Sequence, residues 1–248
     1  MIATLAQNRG AVRHESPEYS NVYITALAHA DTVISGPYSI INCGDQVNIV
    51  SASLKTARRM AKRAQINAGH GVSSPFGFKA FFKSDGSREA VSKVFKNIVE
   101  GAKYPPWQAE NATSRPMLFC INEKDPRLPA KLRENCVVSE AFILHSHPSL
   151  IYLCHPWWTL PANLPTCPQR IVVGDGATAT THMVPNGSEL ANHKAGSLVH
   201  ELAHLYIHTH AQDVILWNEV YRLDECMALD EEKSLENPEN YAMFASGT

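Results

Sequence analysis

Apolar positions along this chain recur at two different periods. From Gln46 to Ala68 they return at helical spacing, and Gly69 and Gly71 then stop the pattern. A second helix is predicted from Ser87 to Ala102, with Val91, Val94, Phe95 and Ile98 on one face and Pro105 and Pro106 ending it. The middle of the chain changes character. "PMLFCIN" (116–122), "AFILHS" (141–146) and "LIYLC" (150–154) are short, apolar and rich in strand formers. "HPWWTLPANLPTCPQ" (155–169) holds four prolines and reads as loop. Helical spacing returns from Ser188 to Ala211, again from Val214 to Leu229, and briefly from Pro238 to Phe244. Helices, then a small sheet, then helices predict an α+β fold rather than a βαβ array. Residues 1 to 40 show no sustained period and read as an extension or the remnant of a pro-segment, leaving 41–248 as a single domain.

Composition narrows the role. With 44% apolar residues in 248, a sizeable core can be buried. The formal charge of -2 argues against a nucleic-acid or anionic-membrane partner, which calls for a clustered basic surface. The densest basic run, Lys55 to Arg63, reads as the wet face of a helix. No apolar run approaches the roughly 20 residues of a membrane span, and the first 21 residues contain no apolar core of a standard signal peptide. Six cysteines, none in a C-x-x-C pair, favour disulfides and a secreted protein over a zinc knuckle. The alternative is six reduced thiols in a cytoplasmic one.

One stretch carries chemistry. In "VHELAHL" (199–205), His200 and His204 stand four apart, on one helix face. Two imidazoles can therefore aim at one metal ion, with Glu201 beside it to move a proton. This is the H-E-x-x-H arrangement of zinc peptidases, and Leu198, Val199, Leu202 and Leu205 give it the apolar surroundings of a buried helix. A catalytic zinc needs a third protein ligand. His208 lies too far along a straight helix to converge on the same ion. Asp213, past the predicted helix end, can fold back to it. Glu219 and Asp224 remain open if the next helix turns that face inward.

The chain resembles the deuterolysin-type fungal zinc endopeptidases, the aspzincins, which include lysine-specific metalloendopeptidases. "HELAH" (200–204) matches the first part of their mark, and Asp213 stands at the spacing of their aspartate ligand. "FKAFFKSDGSREAVSKVFKNI" (78–98), "LIYLCHPWW" (150–158) and "CMALDEEKSLENPENYAMFA" (226–245) resemble further family segments in the same order, from about residue 40 to the end. The resemblance implies a mainly helical zincin-like fold with a small sheet. It implies zinc held by His200, His204 and Asp213, Glu201 as general base, and a peptide or protein substrate. It also implies the disulfides Cys43–Cys120 and Cys136–Cys154, leaving Cys167 with Cys226.

The chain departs from the family pattern in places. Leu216 stands where the family has an oxyanion-stabilising tyrosine, followed by Trp217 in place of glycine. A shifted alignment puts Tyr221 in that role but Asn218 in place of the aspartate. Glu239 takes the position of one acid that holds a substrate lysine, and Ala242 that of the other. Glu239 is equally read as an ordinary first-turn acid after Pro238. The leading expectation is a monomeric zinc-dependent endopeptidase. Alternatives are a same-fold enzyme acting on a small molecule in a fungal biosynthetic pathway, and a catalytically weak relic or effector.

Overall fold

The computed structural model describes residues 31–70, 77–102, 115–122, 128, 130–144, 147–162, 168–173, 180–185, 191–207 and 219–247. In chain order it contains strands β1 (Thr32–Ser35) and β2 (Tyr38–Ile41), then helices α1 (Val47–His70), α2 (Phe78–Phe82) and α3 (Arg88–Glu100). Strand β3 (Met117–Cys120), helix α4 (Ala130–Val138), strands β4 (Ala141–Leu144) and β5 (His147–Leu153) and helix α5 (His155–Thr159) follow. Strands β6 (Pro168–Val173) and β7 (Thr180–Pro185) precede helices α6 (Lys194–Tyr206), α7 (Leu223–Ala228), α8 (Glu231–Glu236) and α9 (Pro238–Ser246). The content is α+β, mostly helical with a small sheet. The chain divides into two compact units, one within Met1–Ala52 and Gly101–Thr159, the other within Ser53–Glu100 and Leu160–Thr248.

The first unit is built on a five-stranded sheet in the order β1-β2-β3-β5-β4. The three central strands run parallel and the two edges antiparallel. Its parallel middle strands are mostly buried, and so is β4 at one edge, while β1 at the other edge is largely exposed. Phe119 faces Tyr152 across one pair of strands and Tyr152 faces Phe142 across the next. Their rings stand 5.9 and 5.1 Å apart and fill one face of the sheet with Leu132 and Leu150. Two disulfides fasten this unit: Cys43–Cys120 joins the chain after β2 to the end of β3, and Cys136–Cys154 joins α4 to the residue after β5. Both are the pairings the resemblance implies. Disulfides persist in oxidising compartments, so the pair points to an exported protein. Among the described residues no helix is long and apolar enough to cross a membrane.

Two readings of the sequence differ from the structure here. β1 and β2 lie largely within the stretch assigned to an extension; four-residue strands are too short for a period to register. The proline-rich segment read as loop begins with helix α5, because Pro156 falls in the first turn, where its missing N–H costs no hydrogen bond.

In the second unit the predicted face of α3 is the buried one: Val91, Val94, Phe95 and Ile98 all point inward. The rings of Phe78, Phe81 and Phe82 on α2, Phe95 on α3, and Tyr241 and Phe244 on α9 form one aromatic cluster. Helix α6 packs against α9 and α3 and is buried along almost its whole length. It starts later than the period suggested. His193, in extended backbone, caps it by accepting the Gly196 N–H on Nδ1 at 3.2 Å. At the other end Ile207 turns to extended backbone. The Lys194 ammonium is buried and donates to the Leu160 carbonyl.

Gly196 is needed where it stands. A Cβ there would come within 2.9 Å of the Ala191 carbonyl carbon and closer still to its oxygen. Gly to Ala inside a helix ordinarily stabilises by about 0.5–1 kcal/mol. Gly196→Ala is expected to do the opposite, with an overpacking cost of about 1–3 kcal/mol read by urea unfolding.

Candidate metal centre

Helix α6 brings His200 and His204 to one face, their ring centroids 5.0 Å apart and inclined at 71°. The sequence predicts a helix over 214–229, but among the described residues Glu219 to Tyr221 are not helical, and α7 begins only at Leu223. That short non-helical segment carries Glu219 to the histidines. One carboxylate oxygen lies 3.6 Å from His200 Nε2 and the other 3.4 Å from His204 Nε2. The three side chains offer donor atoms that all lie within 4.8 Å of one another.

These spacings suit a metal better than hydrogen bonds. Both N···O separations exceed the usual upper limit of about 3.2 Å for N–H···O. Ligands at about 2.0–2.2 Å around a tetrahedral zinc stand about 3.3–3.6 Å from each other. Two imidazoles and a carboxylate are also a donor set that zinc accepts, with a fourth position left for water. The residues therefore fit the metal that the motif implies.

Around this trio sit three further groups the sequence singled out. Glu201 is 2% exposed, and its charge helps raise the pKa values of His200 and Tyr221. The Tyr221 hydroxyl donates to the Glu219 carboxylate at 2.7 Å, and its ring stacks on His200 with centroids 5.8 Å apart. Glu239, in the first turn of α9, accepts from or donates to His200 Nδ1 at 2.8 Å, depending on where the proton sits. Its carboxylate is thus beneath the histidine, whereas the resemblance put it in a pocket for a substrate lysine. Ala242, which stands where the second lysine-binding acid would be, is fully buried.

The electrostatics follow from this crowding. Burial works against a charged His200, but the facing Glu219 carboxylate, the hydrogen bond to Glu239 and the charges of Glu239 and Glu201 outweigh it and raise its pKa to about 10. Burial likewise opposes ionisation of Glu219, and the two histidines overcome it, holding its carboxyl below the usual range. Burial pushes the Tyr221 hydroxyl well above its ordinary value, and the neighbouring Glu219 adds to this, so it remains a donor at neutral pH. A dication bound here would offset the crowded carboxylates.

Asp213, the expected third ligand, lies outside the described residues, as do His208, Leu216, Trp217 and Asn218. Within the described residues the carboxylate that meets both histidines is Glu219, which the sequence left as one of two lesser options. Asp224 instead pairs with Arg222 on the surface. Among the described residues Cys226 is a buried free thiol, whose sulfur donates to the Val220 carbonyl and meets the Asn237 amide; the resemblance pairs it with Cys167. Cys167 lies outside the described residues. His193, which carried no signal in the sequence, serves as the cap of the metal-site helix.

No protein-family model matches this chain, and no curated protein matches it. Among solved structures it is similar to a zinc peptidase from Grifola frondosa, at 15% identity and a TM-score of 0.46, over 82% of this chain and 95% of that one.

Proposed function

We propose that this protein is a zinc-dependent hydrolase of the aspzincin kind that cleaves peptide bonds within polypeptides. The observation that carries the reading is the convergence of His200, His204 and Glu219, at ligand-like spacing, beside the buried carboxylate of Glu201. In this reading the two Nε2 atoms and the Glu219 carboxylate hold the ion. Zinc, when bound, would supply a Lewis acid for the scissile carbonyl and make a water molecule easier to deprotonate.

The remaining work belongs to the chain. Glu201 takes the proton from the attacking water and delivers it to the departing amine. Tyr221, kept protonated by its buried surroundings, is the donor for negative charge growing on the carbonyl oxygen. It would take the place that Leu216 leaves without a hydroxyl. This matches the shifted alignment, in which Tyr221 is the family tyrosine. Glu219, one residue after Asn218, then supplies the carboxylate that Asn218 lacks. Helix α6 is buried along almost its whole length, and its packing keeps the histidine pair and Glu201 in register.

The test is casein cleavage by the purified chain. Turnover is expected in the presence of zinc, loss on addition of a chelator, and recovery when zinc is restored in excess. Zinc bound at one per chain with no cleavage of casein or of a mixed peptide library would reject the peptidase reading while leaving the metal site intact.

A further inference from the structure

Glu239 and His200 come from helices far apart in sequence, α9 and α6, and meet at 2.8 Å with both side chains almost completely buried. The contact is made by His200 Nδ1, the ring nitrogen away from the Glu219 side; Nε2 faces Glu219. Resting on the zinc reading above, we infer that Glu239 is a positioning residue: its carboxylate holds the proton on His200 Nδ1 and so fixes the ring with the Nε2 lone pair directed at the metal.

Several features support this assignment. An imidazole can offer a metal only the nitrogen that carries no proton, so the hydrogen bond at one nitrogen decides what the other can do. The site of Glu239 in the first turn of α9 places the positive end of that helix behind its carboxylate, which favours an anionic acceptor. The turn itself is pinned. Asn240 donates to the carbonyls of Phe81 and Cys226, and Asn237 donates to Asn240 and to the Val220 carbonyl. The Val220 contact lies between Glu219 and Tyr221. The same helix start that carries Glu239 therefore also fastens the segment that brings the third carboxylate to the histidines. A group fully enclosed in this way, at 1% exposure, is poorly placed to receive a substrate side chain from solvent.

The experiment measures zinc affinity, by competition with a chromophoric chelator, for wild type, Glu239→Gln and Glu239→Ala. Nitrogen-edited NMR of the zinc-loaded proteins accompanies it. Outer partners of metal ligands typically contribute about 10–100-fold in affinity. Wild type is expected to show a protected Nδ1–H signal, and the Ala variant to lose it and to weaken zinc by that factor. The Gln variant keeps an oxygen that can accept from Nδ1–H, so it should lose less and retain the signal. It also preserves shape, which guards against an Ala variant that does not fold. Unchanged affinity in both variants would overturn the inference alone, and a lowered preference for basic residues in substrates at unchanged affinity would return Glu239 to the substrate pocket. Failure of wild type to take up zinc would overturn this inference and the proposed function together.

Discussion

Glu219→Ala is expected to strip the site of stoichiometric zinc, whereas Asp213→Ala is expected to keep it. The reason is geometric. Each oxygen of Glu219 faces a different histidine, at 3.6 and 3.4 Å, so in the proposed site the carboxylate completes the ligand set that α6 can only begin. A helix presents two imidazoles one turn apart and nothing more; two ligands do not make a closed zinc site. Loss of the third should therefore weaken zinc by well over the about 10–100-fold that an outer partner costs. Mass spectrometry of the intact proteins under non-denaturing conditions, with metal analysis of the same samples, reads this directly. Zinc retained in Glu219→Ala and lost in Asp213→Ala would restore the aspartate to the ligand set and reduce Glu219 to a neighbour. The alanine also removes the partner of the Tyr221 hydroxyl. Glu219→Gln serves as the second variant: it keeps the size and an acceptor for Tyr221, yet offers a much weaker ligand.

Half of this centre was legible in the sequence. The pattern H-E-x-x-H works because helical periodicity alone puts residues four apart on one face, and the apolar residues around it announce burial; α6 has both properties. The buried face of α3 was readable for the same reason. Glu219 was legible only as one of two lesser options, because it sits in a non-helical segment whose path is set by packing: Asn237, just before the last helix, donates to Val220, and no local period encodes that contact. Spacing pointed to Asp213, which lies outside the described residues, because the family places its aspartate there; Glu219, six residues further on, approaches both histidines from a different stretch. Glu239 was half legible. Its place in a first turn after Pro238 follows from sequence, but its contact with His200 depends on how α9 packs against α6. The sheet shows the same division. Three apolar runs gave β3, β4 and β5, yet nothing in them specified that β5 would insert between β3 and β4. That order is a matter of long-range connection, which a run of apolar residues does not carry.

Replacing Glu201 by Gln should abolish turnover while leaving zinc in place. Glu201 follows the first histidine directly on α6, so its side chain leaves the helix next to the metal-facing ring without being one of the converging donor atoms. Its assigned work is proton transfer, and an amide of the same size cannot accept a proton at neutral pH. General acid–base catalysis contributes about 10²–10⁴ in rate; here one group serves both the attack of water and the departure of the amine, so a loss near the upper end, about 10⁴, is expected in kcat. Substrate binding should change little. The measurement is steady-state cleavage of a fluorogenic peptide by wild type and variant, each checked for one zinc per chain. The variant also separates two explanations that activity alone confuses. Loss of turnover with loss of zinc would mean that Glu201 supports the ligand set, through the charge it places near His200. Loss of turnover with zinc retained isolates the proton-transfer step. Unchanged turnover with zinc present would remove Glu201 from the chemistry and leave the protein without a base at the position where the helix offers one.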